Sequence, residues 1–183
     1  GFVIQESSPV FVNCIFELNS AFNGGGGAVI LANPTFTGCT IRSNSAAHFG
    51  GGVFLTAGSR PVFTNCDIVG NTSGTGGPGV GNNGAGGGVF SHDSSPTFRG
   101  SRINANASKF AAGGLFHMGP FGSPYGRAML VVEDTEVADN VSSQFPGEPN
   151  PAEGGGMHVE DNGTASAAGY IADGMALEVF DGA

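Results

Sequence analysis

Three cysteines, four histidines, a cluster of late acidic residues and four glycosylation sequons are the groups in this chain that could do chemistry. Cys14, Cys39 and Cys66 each follow the same kind of segment, P-x-F-x-x-C. In equivalent places of a repeat they would form one inward column with Ser101 and Thr135, a ladder of small residues. Stacked neighbours about 4.8 Å apart would also fall within disulfide Cα separations of about 4.4–6.8 Å, which leaves Cys14–Cys39 or Cys39–Cys66 pairing open. No histidine shares that column. His48, His92, His117 and His158 fall at different positions of the repeat, whereas zinc needs three or four converging ligands. The sequence therefore names no metal site, cofactor site or catalytic residue. Glu148, Glu153, Glu160 and Asp161 have no basic neighbour and could hold calcium, although a solvated acidic face explains them more simply. Gly24–Gly27 and Gly84–Gly88 lack the Lys-Ser/Thr of a phosphate loop and read as turns where a side chain would clash or φ is positive.

The elements that must position these groups come from internal repetition. Five segments align without gaps: PVFVNCIFELN (9–19), PTFTGCTIRSN (34–44), PVFTNCDIVGN (61–71), PTFRGSRINAN (96–106) and LVVEDTEVADN (130–140). Each is followed by a glycine-led strand: GGAVIL (26–31), GGVFLT (51–56), GGVFSH (87–92), GGLFHM (113–118) and GGMHVE (155–160). The closing asparagines Asn19, Asn44, Asn71, Asn106 and Asn140 are 25, 27, 35 and 34 residues apart. Short β segments with glycine turns at such a period predict an all-β parallel β-helix of right-handed coils, about five to six of them at roughly 25 residues each. The asparagines would pass amide hydrogen bonds from coil to coil. Phe11, Phe36, Phe63, Phe98 and Val132 would fill the interior.

Residues between these columns should face outward, and they pair by charge. Glu17 aligns with Arg42, Asp67 with Arg102 and then Glu136, and Arg99 with Glu133. Opposite charges one strand apart are favourable. The glycine-led strands are apolar at both parities, Ala28, Val53, Val89, Leu115 and Met157 in one set and Val29, Phe54, Phe90, Phe116 and His158 in the other. The sequence leaves their inward face open; the second set can cover the outside or meet a partner.

Composition agrees with this class. Charged residues are 11% of 183, glycine is the commonest residue at 34, and the net charge is −9. Residues 130–183 carry eleven acids and no Lys or Arg, so phosphate backbones would be repelled and nucleic acid is an unsuitable partner. No apolar run is long enough for a transmembrane helix. The chain reads as a single β-helix domain over 1–183, degenerate over 130–183, and as a fragment of a longer protein.

The doublets GGAV, GGVF, GGVF, GGLF, GGMH and FELN, IRSN, IVGN, INAN, VADN resemble the repeat signature of chlamydial polymorphic outer membrane proteins. The longer string S-x-P-x-F-x-N-C-x-I-x-x-N-x-A-x-x-x-GGG is similar to repeats of large secreted bacterial and algal proteins with a pectin-lyase-like β-helix. The resemblance implies an extracellular or cell-surface location and a structural or adhesive role, with further coils, other subunits or surface glycans as partners. The alternative is a polysaccharide-binding or polysaccharide-degrading enzyme domain.

Two insertions suggest where a partner would bind. From the ladder asparagine to the next glycine doublet is seven residues at Asn19, Asn44 and Asn106, but sixteen after Asn71 and fifteen after Asn140. Asn82 and Asn83 in one insertion and Phe145, Glu148 and Glu153 in the other are the expected contact residues. Removing 74–82 and 143–150 should leave the coils intact. Among the sequons, Asn71, Asn106 and Asn140 belong to the ladder, and Asn162 alone is the candidate for glycosylation.

Overall fold

The computed structural model describes residues 1–76, 84–119, 128–143 and 155–160, and the backbone of 164–168 and 177–179. The described chain winds into coils whose strands form four sheets with parallel pairing throughout. Sheet A contains Phe2–Gln5, Gly27–Ile30, Val53–Thr56, Val89–His92, Leu115–Met118, Met157–Glu160 and Leu177–Val179. Sheet B runs from Val10–Val12 through Thr35–Thr37, Val62–Thr64, Thr97–Arg99 and Met129–Glu133 to Thr164–Ala168. Sheet C stacks Ile15–Glu17, Thr40–Arg42, Asp67–Val69, Arg102–Asn104 and Glu136–Ala138; sheet D stacks five two-residue strands from Ser20–Ala21 to Val141–Ser142. Each passage through the four sheets is one coil, numbered here from Phe2.

Single residues make the corners. Between sheets B and C the turn is Asn13, Gly38, Asn65, Gly100 or Asp134, with φ between 45° and 60°. Asparagine, aspartate and glycine tolerate that left-handed conformation best. Asn13 and Asn65 each lean over the glycine of the next coil, where a Cβ would meet their Oδ1. The interior is filled by like residues stacked on like. Phe11, Phe36, Phe63 and Phe98 form a column with centroids 5.0, 4.7 and 5.0 Å apart and planes within 10°. Ile41, Ile68, Ile103 and Val137 form a second, and Val53, Val89, Leu115 and Met157 close the core from sheet A.

Sheet A departs from the expected register at its second strand. Gly27 pairs with Val53 and Ala28 with Phe54, so Val29 joins Leu55 in the core. The turn before this strand is therefore one residue shorter than the repeat count implied. At this register Gly27 must lack a side chain: a Cβ there would run into the Phe2 ring, which occupies the inward space that valine takes in later coils. The inward parity of sheet A is now defined, with Ile4, Val29, Leu55, Ser91, His117 and Val159 forming its second buried column.

Of the second set, Val29 turns inward, while Phe54, Phe90, Phe116 and His158 face outward. Phe90 and Phe116 are buried there, in a second apolar cluster outside sheet A with Ala85, Ala111, Ala112, Phe49, Phe54 and Met118. The turn residues before the glycines fold over the rings and exclude water from them. The first insertion is also less detached than expected. Thr75 N–H and Oγ donate to the Ala46 carbonyl, and Gly76 N–H donates to that of Ala47. Residues 74–76 thus belong to the coil packing, and a deletion starting at 74 would remove hydrogen bonds of coil two.

Candidate functional site

The asparagine column is a continuous amide network. Asn44 Oδ1 accepts the backbone N–H and the Nδ2 of Asn19, each at 3.0 Å. Asn44 Nδ2 then donates to the Phe16 carbonyl at 2.9 Å and to Asn71 Oδ1 at 3.0 Å. Asn71 repeats the pattern towards Ile41 and Asn106, and Asn106 towards Ile68 and Asn140. Asn44, Asn71 and Asn106 are buried, Asn19 and Asn140 half-buried. Every donor and acceptor of the three central amides is used internally, which suits a structural part and leaves little to offer a ligand or a glycan. Asn104, between the isoleucine and asparagine columns, is half-buried and accepts the Ala138 N–H on Oδ1 at 3.1 Å.

The cysteine column stands at the corner after sheet B. All three thiols are free; Cys14 is half-buried at the first coil, and Cys39 and Cys66 are buried. Each donates to the carbonyl two residues earlier, Val12, Thr37 or Thr64, at 3.4–3.5 Å. Ser101 and Thr135 make the same bond, to Arg99 and Glu133, at 3.0 and 2.8 Å. Burial pushes the Cys66 thiol up to about 11, so it carries no thiolate for chemistry at neutral pH.

The histidines do not converge, and among the described residues no three His, Cys, Asp or Glu side chains could hold a metal ion together. His117 points into the core beneath Ser91, with Nδ1 3.0 Å from the Ser91 hydroxyl. Burial lowers its pKa to about 4. His48 stacks on Phe22 with centroids 4.2 Å apart. His158 stacks under Phe116 on the outer face of sheet A.

The outward carboxylates are engaged by arginines one coil away. Glu17 meets Arg42 at 2.6 Å, Glu133 meets Arg99 at 2.6 Å, and Asp67 takes two hydrogen bonds from Arg102, at 2.7 and 2.8 Å. The hydrogen bond from Arg102 holds the Asp67 carboxyl below its ordinary range. Arg102 is in register with Glu136 as well, but its guanidinium turns to Asp67, so the expected three-membered ladder is one pair with a more distant acid. Asn82, Asn83, Phe145, Glu148, Glu153, Asp161 and Asn162 lie outside the described residues, and of Glu160 only the backbone is described.

Two features were missed at the level of sequence. One is the buried Ser91–His117 pair, which was readable as a serine and a histidine in a column of aliphatics once the inward parity was known. The other is Ala28 standing in the outer phenylalanine column, which was hidden by the one-residue slip of the second strand.

A model of the family described as right-handed β-helix region matches residues 1–169. No curated protein and no solved structure matches the chain.

Proposed function

Because the chain belongs to the right-handed β-helix family, we propose that it serves as a non-catalytic structural or adhesive module, secreted or held at a cell surface. The observation that carries this reading is the use made of the strand carboxylates. Glu17, Asp67 and Glu133 are each committed to an arginine on the neighbouring coil. Cleavage of a glycosidic bond calls for two carboxyl groups about 5–9.5 Å apart, one of them with a raised pKa. Asp67 is shifted the other way. Under this reading the outer charges hold coils together, and the partners are further coils, other subunits or surface glycans.

The same fold hosts enzymes and non-enzymes, so catalysis is tested directly. Incubation with pectate, alginate or a glycosaminoglycan is expected to yield no new reducing ends and no unsaturated products. Products that disappear on replacing one acid would overturn the proposal. Beads coated with the chain are expected to retain cells or cell-wall glycans above uncoated beads, and equal retention would remove the adhesive part.

A further inference from the structure

The outer face of sheet A carries a stack of rings that stops one rung early. His158, Phe116, Phe90 and Phe54 lie on successive strands with centroids 4.9, 5.3 and 5.6 Å apart and planes within 6° of parallel. The next position in register is Ala28, and beyond it Val3. Phe90 has a second cover, Phe49, whose centroid is 4.5 Å away and which precedes the turn glycine Gly50. One coil earlier the residue before the equivalent glycine, Gly24, is Asn23. A Cβ on Gly24 would lie 3.2 Å from Phe54 Cβ, so this turn borders Phe54. Phe54 therefore lacks both the neighbouring ring and the ring from the turn. Phe90 and Phe116 are 6% and 7% exposed, Phe54 is half-buried, and Val3 above the gap is 74% exposed.

We propose that the short rung at Ala28, bounded by Phe54, Val3 and Asn23, is a subsite for one neutral pyranose ring of a glycan. A ring lying on the outer side of Phe54 would sit about one strand spacing away, near 4.8 Å, where the ladder would otherwise continue. A pyranose has the needed shape: a flat C–H face for the phenyl ring and hydroxyls at its edge. Stacking on Phe90 already holds Phe54, so little side-chain freedom is lost on binding. Asn23 Oδ1 accepts the Phe49 N–H at 3.2 Å, which leaves Nδ2 as the group of this amide that would donate to a sugar hydroxyl. None of the residues of Phe2–Gln5, Gly27–Ile30 and Val53–Thr56 is charged, so the strands favour a neutral sugar over a uronic acid. Few polar groups around an apolar floor is the usual make-up of a small-ligand site. The subsite deepens the adhesive reading and rests on it for the glycan's being a surface one.

The test is an NMR titration of the phenylalanine-labelled chain with cellotetraose, maltotetraose and mannotetraose at millimolar concentrations. The Phe54 ring signals are expected to move with at least one of these sugars while those of interior Phe98 stay fixed. Ala28→Phe would complete the ladder; it is expected to raise the melting temperature and abolish the shift. Phe54→Leu, which keeps an apolar side chain, is expected to abolish the response too. Silence of Phe54 towards all three sugars, binding that survives Ala28→Phe, or a response to phenol alone would overturn the subsite. Sugar binding by a chain that fails to retain cells would sink only the adhesive reading, and retention with a silent Phe54 would sink only the subsite.

Discussion

Gly52 lies against the Asn71 amide: a methyl group on Gly52 would stand 3.1 Å from Asn71 Nδ2 and 2.5 Å from the Gly88 carbonyl oxygen. The same contact recurs between Gly88 and Asn106 and between Gly114 and Asn140, at 2.9 and 2.8 Å. The two signatures of the repeat, the glycine doublet and the closing asparagine, are thus the two sides of one contact. Gly52→Ala is expected to lower the denaturation midpoint clearly, since a backbone carbonyl cannot step aside. A midpoint unchanged from the parent chain would show that the coils can separate there at no cost.

Replacing Asn71 with Leu should destabilise the fold by about 1–3 kcal/mol, because the Asn44 N–H and Nδ2 and the Ile41 carbonyl all lose their partner inside the solenoid. Asn104→Leu removes one half-buried bond to Ala138 and should cost roughly 1 kcal/mol or less. Chemical denaturation of the two variants side by side measures the difference, and equal losses would contradict the ladder's central role.

His117 makes stability depend on pH. Its folded pKa is pushed down to about 4 by burial, against about 6.5 in an unfolded chain. The unfolded state therefore binds the proton first, and stability rises with pH across this window. The neutral core is fully stable above about pH 6.5, and up to roughly 3 kcal/mol is lost as pH falls towards 4. Denaturation midpoints over that range should fall in the parent chain and flatten in His117→Leu. An equal slope in both would assign the effect to other groups.

The Asp67–Arg102 pair is open to solvent and should contribute only about 0.2–1 kcal/mol, decreasing with salt. Its clearer signature is the carboxyl itself. In Arg102→Ala, the Asp67 pKa measured by NMR should rise towards its ordinary value, since the main cause of its lowering is gone. An unmoved pKa would mean that the hydrogen bonds do not persist in solution.

The cysteines should react in order of exposure. Iodoacetamide is expected to label Cys14 in the native chain, and Cys39 and Cys66 only on unfolding. Mass spectrometry of the labelled peptides reads this directly, and rapid native labelling of Cys66 would show that coils two to four open readily.

Much of the fold was legible because a solenoid repeats its physics. The column Phe11, Phe36, Phe63, Phe98 and the pairs Glu17–Arg42, Asp67–Arg102 and Arg99–Glu133 hold matching places in segments that align without gaps, and in-register stacking turns equal repeat position into spatial contact. The candidate site was less legible. Ala28 pairs with Phe54 in a register that sets Gly27 under the Phe2 ring, a contact between residues 25 apart which no local pattern links. Whether Phe90 and Phe116 are wet or dry also depended on Phe49, Ala85 and Ala111 reaching over from the turns.

The sequence by itself determined the coil, the inward columns of sheets B and C and the asparagine ladder, because each is a local alternation at the same place in an ungapped segment that recurs from coil to coil. Only the tertiary structure decided the inward face of sheet A, the burial of the Ser91–His117 pair and the break in the outer ring stack. Sheet A is apolar at both parities, so periodicity cannot choose between its faces; the choice falls to which side chains find volume inside a closed coil and which are covered by the neighbouring turn.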